Sequence, residues 1–207
     1  KLIKIMKWDY EFDVVVIGSG NGALTSALCS HDGGAKTLVI EKSTQFGGTS
    51  ATSGGGVWIP NNRYAKAENV DDSDQDARDY INSVSPEGKI KDELIETYLS
   101  EGPKMIDYLH ENSQVKYRNL AHYPDYFPDN PGGKAGNRSM EPEPINGTEL
   151  GDDLAKLREQ HPQTAFTMGP INMNFTQVEG QLLLGALPGW KSLFAKLFTK
   201  YILDLPM

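Results

Sequence analysis

Residues 12–56 read FDVVVIGSGNGALTSALCSHDGGAKTLVIEKSTQFGGTSATSGGG and hold 10 of the chain's 21 glycines. A β-branched apolar run is followed by a tight glycine turn, a helix of small residues, a second strand ending in an acid, and another glycine loop. No other stretch restricts the fold as tightly. This order is the sequence form of a βαβ unit built to hold a dinucleotide.

Phe12 to Ile17 is the kind of run expected to be buried on both faces of a parallel sheet. It stops at Gly18-Ser19-Gly20-Asn21-Gly22-Ala23. Gly18 permits the tight turn, and Gly20 lacks the Cβ that would keep a pyrophosphate off the backbone. Ala23 takes the third position of the fingerprint, small enough for the helix to pack close to the strand. Leu24 to Ser30 continues with small residues, and the helix N-terminus brings N–H donors and partial positive charge to the phosphates.

The second strand, Thr37 to Ile40, ends on Glu41, which is followed by Lys42. Glu41 lies 18 residues past Ala23 (41 minus 23), close to the spacing of a ribose-binding carboxylate. A carboxylate there accepts from ribose hydroxyls and repels a 2′-phosphate, so FAD or NAD is favoured over NADP. The second loop separates those two. Gly47-Gly48-Thr49-Ser50 and Ser53-Gly54-Gly55-Gly56 offer hydroxyls and unhindered amides to a longer dinucleotide and its ring system. NAD sites need no such segment. The loop runs directly into Val57-Trp58-Ile59-Pro60, so it does not read as a flexible Gly/Ser linker.

Composition excludes several other classes. A net charge of −8 disfavours nucleic acid as a partner. The lone cysteine, Cys29, can form no internal disulfide; it reads as a packing residue and a cytoplasmic location is expected. His31, His110, His122 and His161 have no metal-ligand spacing, so no metal site is expected. No stretch is apolar enough to span a membrane. KLIKIMKW at the start lacks the length and cleavage site of a signal peptide, and Met6 is a candidate natural start.

Downstream, a helix is expected over Asp71–Val84, opened by Ser73-x-x-Asp76. Ile90, Leu94, Ile95, Tyr98 and Leu99 form an apolar stripe, which Gly102-Pro103 should interrupt. Met105, Ile106 and Leu109 then begin a second short helix. Residues 119–147 are proline-rich and irregular, which in a folded chain points to disorder or function. Tyr123 and Tyr126 bracket Pro124-Asp125 within them, with Tyr117 just upstream. The last helix, Trp190 to Leu203, gathers Leu193, Phe194, Leu197, Phe198, Tyr201 and Ile202 on one face among lysines. Such a face can meet a membrane surface, though packing on a further domain is the favoured reading.

The sequence GGTSATSGGGVWIPNN (Gly47 to Asn62) after GSGNGA resembles the FAD-dependent 3-ketosteroid dehydrogenases, within the fumarate reductase and succinate dehydrogenase flavoprotein group. The likeness continues through Tyr123 to Pro128, Pro131-Gly132-Gly133, Arg138 to Pro144 and GQLLLGALPGWKSL. It implies an α/β fold: a Rossmann-like FAD-binding βαβ core over about 10–60, with added helices and a long loop region over about 70–207. All 207 residues would lie in the N-terminal part of an incomplete FAD domain, with the catalytic domain and the domain's C-terminal return outside the chain. Respiratory members of the group carry a flavin-bonding histidine where this sequence has Gly48. The resemblance therefore implies a non-covalent flavin.

The implied reaction is desaturation beside a ketone, in which a proton leaves the α carbon and a hydride leaves the β carbon. A tyrosinate can take the proton only if its surroundings favour ionisation, because the reference pKa is about 10. On residue type alone Tyr126 reads as packing. By resemblance it is the active-site tyrosine, supporting a second tyrosine that acts as base. Implied partners are a ketosteroid substrate and an electron acceptor. Two alternatives stand beside this reading: a soluble fumarate-reductase-like flavoprotein, and a non-catalytic flavin-binding fragment. The first needs arginines to clamp a dicarboxylate, and Arg118, Arg138 and Arg158 show no such clustering.

Overall fold

A computed structural model describes residues 8–160 and 176–203. Met6 and His161 fall outside these. The chain divides into two compact units, one built from residues 8–54 with 146–160, the other from 55–145 with 176–203.

The first unit is the βαβ element. Strand β1 (Val14–Ile17) leads into helix α1 (Asn21–Asp32) and on to strand β2 (Thr37–Ile40). The two strands pair in parallel, Val14 opposite Thr37 and Ile17 opposite Ile40. The first strand is shorter than the apolar run beginning at Phe12. Nor is it buried on both faces: Val15 is 51% and Ile17 83% exposed. Faces are covered by packed layers rather than by further strands, and burial here alternates along β1, half-buried at Val14 and Val16 and exposed at Val15 and Ile17. Cys29 is exposed on α1, correcting the packing role expected of it.

The second glycine loop is not loop throughout. Gly48–Thr52 forms a short helix, α2. The chain returns to this unit in a 3-10 run (Gly147–Lys156), and Phe46 and Leu157 then form a parallel bridge. Phe46 N–H donates to Lys156 O and Arg158 N–H to Phe46 O, both at 2.9 Å. Phe46 and Leu157, 111 positions apart in sequence (157 minus 46), are thus tied side by side.

The second unit contains a sheet that the sequence pattern did not reveal. Strand β3 (Val57–Trp58), strand β4 (Tyr117–Asn119) and strand β5 (Ser139–Pro142) form an antiparallel sheet in the order β3-β5-β4. Helix α3 (Arg63–Ala67) is capped by Asn62, whose side chain accepts from Tyr64 and Ala65 N–H. Helix α4 (Asp74–Val84) starts at Ser73, whose hydroxyl accepts from Asp76 N–H at 3.1 Å.

Gly102-Pro103 does not divide the next helix. A single α5 runs Asp92–Asn112 with Pro103 inside it. A proline there costs about 3 kcal/mol. Burial of Ile95 and Leu99 before it, and of Ile106 and Leu109 after it, offsets that cost. A Cβ on Gly102 would approach Ile59 Cδ1 to 3.2 Å, so the glycine also lets the helix sit close to the residue that follows β3. Ile59, Ile106, Tyr117 and Met140 make one core cluster, and Ala77, Ile95 and Leu99 another.

Helices α6 (Gln177–Leu184) and α7 (Trp190–Leu203) complete the unit. Buried Glu141 accepts from Gln177 and Val178 N–H at 2.7 and 3.1 Å, anchoring the start of α6 to β5. On α7 only part of the apolar face is covered. Leu197 is buried, while Phe194, Phe198 and Ile202 are exposed. Among the described residues, no helix is long and apolar enough to cross a membrane, and no group of acids, histidines and cysteine could hold a metal.

Candidate functional site

In the first unit the glycine turn, the end of β2 and the start of α2 surround a cavity of about 790 Å³. Its lining includes the whole Gly18–Ala23 turn, Glu41 and Lys42, and Gly48, Thr49 and Ser50. Small-molecule and cofactor sites span roughly 300–1,000 Å³. The local geometry follows from the sequence. Gly20 and Gly48 approach so closely that a Cβ on Gly48 would lie 3.5 Å from the Gly20 backbone, and one on Gly20 would lie 3.4 Å from Ser50 Oγ. Two glycine loops can meet at van der Waals distance and leave bare backbone facing the cavity.

Ser19 holds the pieces together. It is buried, donates to Glu41 Oε2 at 2.5 Å and accepts from Gly47 N–H at 2.9 Å. Ser43 N–H also donates to Glu41, on Oε1 at 3.0 Å. The Ser19 hydroxyl, then the Ser43 amide, hold the Glu41 carboxyl below the usual range, so it is ionised at neutral pH. Asn21 N–H, at the head of α1, donates to Ser50 Oγ at 3.0 Å. That hydroxyl already stands where an anion would meet the helix, which modifies the simple expectation of open amides.

Four residues expected at the cofactor do not line this cavity: Gly47, Ser53, Gly54 and Gly55. Gly47 has φ 106° and forms the turn into α2; a Cβ there would come within 2.6 Å of Ala51 Cβ. Ser53 Oγ donates to Ser50 O at 2.9 Å, closing α2. Gly55 belongs to the second unit, where a Cβ would lie 2.8 Å from Pro142 Cγ. The lining also holds residues that the motif did not mark, Arg158 above all. Arg158 is brought there by the Phe46–Leu157 bridge, and no local pattern could have signalled that.

In the second unit, Tyr126 lines a separate hollow of about 300 Å³ with Trp58, Tyr80, Tyr123 and Asp125. The Tyr126 side chain is 84% exposed. Trp58 lies 5.9 Å from Tyr80 and stacks on Tyr98 at 6.3 Å, ring centre to ring centre. Tyr126, partial burial and hydrogen bonding to Tyr126, in that order, push the Tyr123 phenol above its ordinary value. Beneath the aromatics sits Arg138, 1% exposed, 2.7 Å from Asp72 and 2.9 Å from Asp125. Arg138 is thus committed to two internal carboxylates and Arg118 lies 3.6 Å from Glu141, so neither is a free carboxylate clamp.

The cradle has a recognisable relative. Residues 13–187 match the family model described as the FAD binding domain. The chain belongs to that family, and its cofactor is FAD. The fit is visible in the structure, where close-set glycine loops leave no Cβ in a dinucleotide's path and an ionised acid stands at the end of β2.

Within this class the chain is similar to the 3-oxosteroid 1-dehydrogenase of Mycobacterium tuberculosis (strain ATCC 25618 / H37Rv). The two are 40% identical over 163 residues, covering 79% of this chain and 28% of the relative. The 4-oxocyclohexanecarboxylate 2-dehydrogenase of Sinomonas cyclohexanicum is 38% identical, over 76% of this chain and 27% of its own length. Among solved structures, the 3-ketosteroid Δ1-dehydrogenase of Sterolibacterium denitrificans, in complex with 1,4-androstadiene-3,17-dione, superposes with a TM-score of 0.83. It is 39% identical and matches 94% of this chain and 34% of that one. The chain therefore spans little more than a quarter of the length of the first curated relatives it matches.

Proposed function

We propose that this chain is the FAD-holding part of an enzyme that desaturates a cyclic ketone, a 3-ketosteroid, beside its carbonyl. The observation carrying this is the conjunction of the Gly18–Ser50 cradle with an aromatic hollow bearing Tyr126, in a chain 39% identical to a ketosteroid dehydrogenase of known structure.

In this reading Glu41 accepts from the ribose hydroxyls. The Gly20, Gly22 and Ala23 amides and those of Gly48–Ser50, with Lys42 and Arg158, meet the diphosphate, the Gly18 and Asn21 amides being spent on Ile40 O and Ser50 Oγ. Gly47, Ser53 and Gly54 act by shaping the loop, and Gly55 by letting the chain turn against Pro142. FAD is held without a covalent bond, since Gly48 offers no nucleophile. Bound, it supplies the hydride acceptor.

Tyr126 presents a phenol to the hollow, where Trp58 and Tyr80 offer apolar surface suited to a flat ring system. Tyr123, its phenol pushed up, stays a neutral hydrogen-bond donor near neutral pH. The substrate's electrons leave the protein through an external acceptor. The lone cysteine is the ground for a cytoplasmic setting, and the exposed face of α7 is read as packing on further protein rather than on a membrane surface.

The test uses protein expressed from its whole reading frame. Its visible spectrum should show oxidised flavin, released unmodified on denaturation. A 3-ketosteroid with an artificial electron acceptor should then turn over. A colourless protein overturns the cofactor assignment to this cavity. A yellow protein inert to 3-ketosteroids, yet active on fumarate, overturns the substrate assignment alone.

A further inference from the structure

The residue carrying Tyr126 into the hollow is its neighbour. Tyr126 is 84% exposed, so packing around the side chain does little to fix it. Asp125 is 5% exposed, and its carboxylate is surrounded by donors. Oδ1 accepts from Trp58 Nε1 at 2.7 Å. Oδ2 accepts from Lys134 N–H at 3.0 Å and from Arg138 at 2.9 Å. Asp125 N–H returns a bond to Lys134 O at 3.0 Å, so residues 125–134 are closed into a loop at their base.

The loop is held at two further points. Phe127 N–H donates to Tyr80 Oη at 3.3 Å. Arg138 lies 5.6 and 5.8 Å from the Trp58 and Tyr80 rings, with its other edge on Asp72. Trp58 is 67 residues from Asp125 in sequence, yet its indole N–H is spent on that carboxylate. One buried acid therefore fixes an aromatic wall of the hollow and the backbone that displays the phenol.

We infer that Asp125 is a positioning residue for turnover: its carboxylate, neutralised by Arg138, locks Trp58 and the Tyr126 backbone into one geometry at the hollow. This rests on the reading above that Tyr126 works at the reacting ketone. Such a role differs from structural support in what it controls. Loss of support lowers stability and flavin occupancy together. Loss of position lowers kcat while substrate and flavin still bind, because misplacement of about 1 Å can cost about 100-fold in rate. Asparagine at 125 is isosteric, but its amide NH2 must face a donor, so one of the three bonds is lost if it takes the place of Oδ1 and two if it takes that of Oδ2.

The test is a double-mutant cycle in the full-length holoenzyme, combining Asp125→Asn with Tyr126→Phe. Asp125→Asn should lower kcat about 10- to 100-fold, with KM for a 3-ketosteroid and flavin content each within about twofold. In the Tyr126→Phe background it should cost less than about threefold, because the group it positions has gone. Trp58→Phe leaves the Arg138 ion pair in place and removes one N–H donor. It carries the same test if Asp125→Asn yields no folded protein, with an expected three- to tenfold loss (roughly one hydrogen bond) that again nearly vanishes beside Tyr126→Phe. Losses that multiply, or an unaltered kcat in the folded single variant, overturn the positioning role alone. Wild-type turnover by Tyr126→Phe overturns the reading of Tyr126, and the inference with it.

Discussion

The two candidate sites are built by opposite means. The cradle in the first unit is mostly backbone: two glycine loops in contact, pinned by Ser19, Ser50 and Glu41 over short hydrogen bonds. The hollow in the second unit is mostly side chain, with aromatics laid over a buried arginine and two buried carboxylates. A backbone site can be blocked by one added Cβ without disturbing the fold. A site resting on buried charge loses stability when the charge balance is disturbed. The comparison predicts that changes to the cradle act on affinity, and changes under the hollow on stability and rate.

The largest effect should come from Arg138→Met. It strands Asp72 and Asp125 in the interior, and breaking a buried ion pair from one side costs about 3–5 kcal/mol. Urea denaturation followed by tryptophan fluorescence would read the loss, and a change below about 1 kcal/mol would break the contrast between the units.

Gly132→Ala should rank next. Gly132 has φ 72°, and a Cβ would fall 1.9 Å from Asp76 O, so α4 or the turn must move. A loss of about 2–4 kcal/mol is expected in the same assay. Gly20→Ala should do the reverse, weakening FAD binding about 30-fold by setting a Cβ in the diphosphate's approach, with the urea midpoint nearly unchanged because that Cβ would meet Ser50 Oγ at an ordinary contact distance of 3.4 Å. Equilibrium dialysis against FAD would show it.

Glu41→Gln should weaken FAD about 10-fold, the scale of a hydrogen bond to a charged group. The sign of its pH dependence is set by its depressed pKa. The interaction is present above the ordinary carboxylate value and is lost as pH falls through the lower, folded-state value. Wild-type affinity should therefore be flat through neutral pH and fall only once the pH drops below the ordinary carboxylate range, while the glutamine variant lacks that fall. Cys29→Ser, on an exposed face of α1, should change stability by less than about 0.5 kcal/mol.

The same contrast decides how much could be read from the sequence. The cradle is local: Gly18, Gly20, Ala23 and Glu41 lie within one βαβ unit, and each is chosen for a conformation or a contact that its neighbours imply. Strand β2 falls at Thr37–Ile40 as the pattern indicates, and Ser73 caps α4. What depends on distant pairing was not legible. Trp58 meets Asp125 across 67 residues and Arg138 meets Asp72 across 66, and no spacing rule links them. Arg158 reaches the cradle only through the Phe46–Leu157 bridge. The β3-β5-β4 sheet was hidden because its strands are two to four residues long and one carries a proline. Pro103 misled in the other direction, since burial on both sides outweighs its local cost.

The most direct measurement of the central claim is made on the full-length protein, purified with its flavin and kept free of oxygen. Mixing it with one equivalent of a saturated-ring 3-ketosteroid should bleach the oxidised-flavin absorbance. Tyr126→Phe should slow that bleaching while leaving the starting spectrum intact. A flavin band that persists in the wild-type protein through prolonged incubation, with the steroid recovered unchanged, would contradict the account.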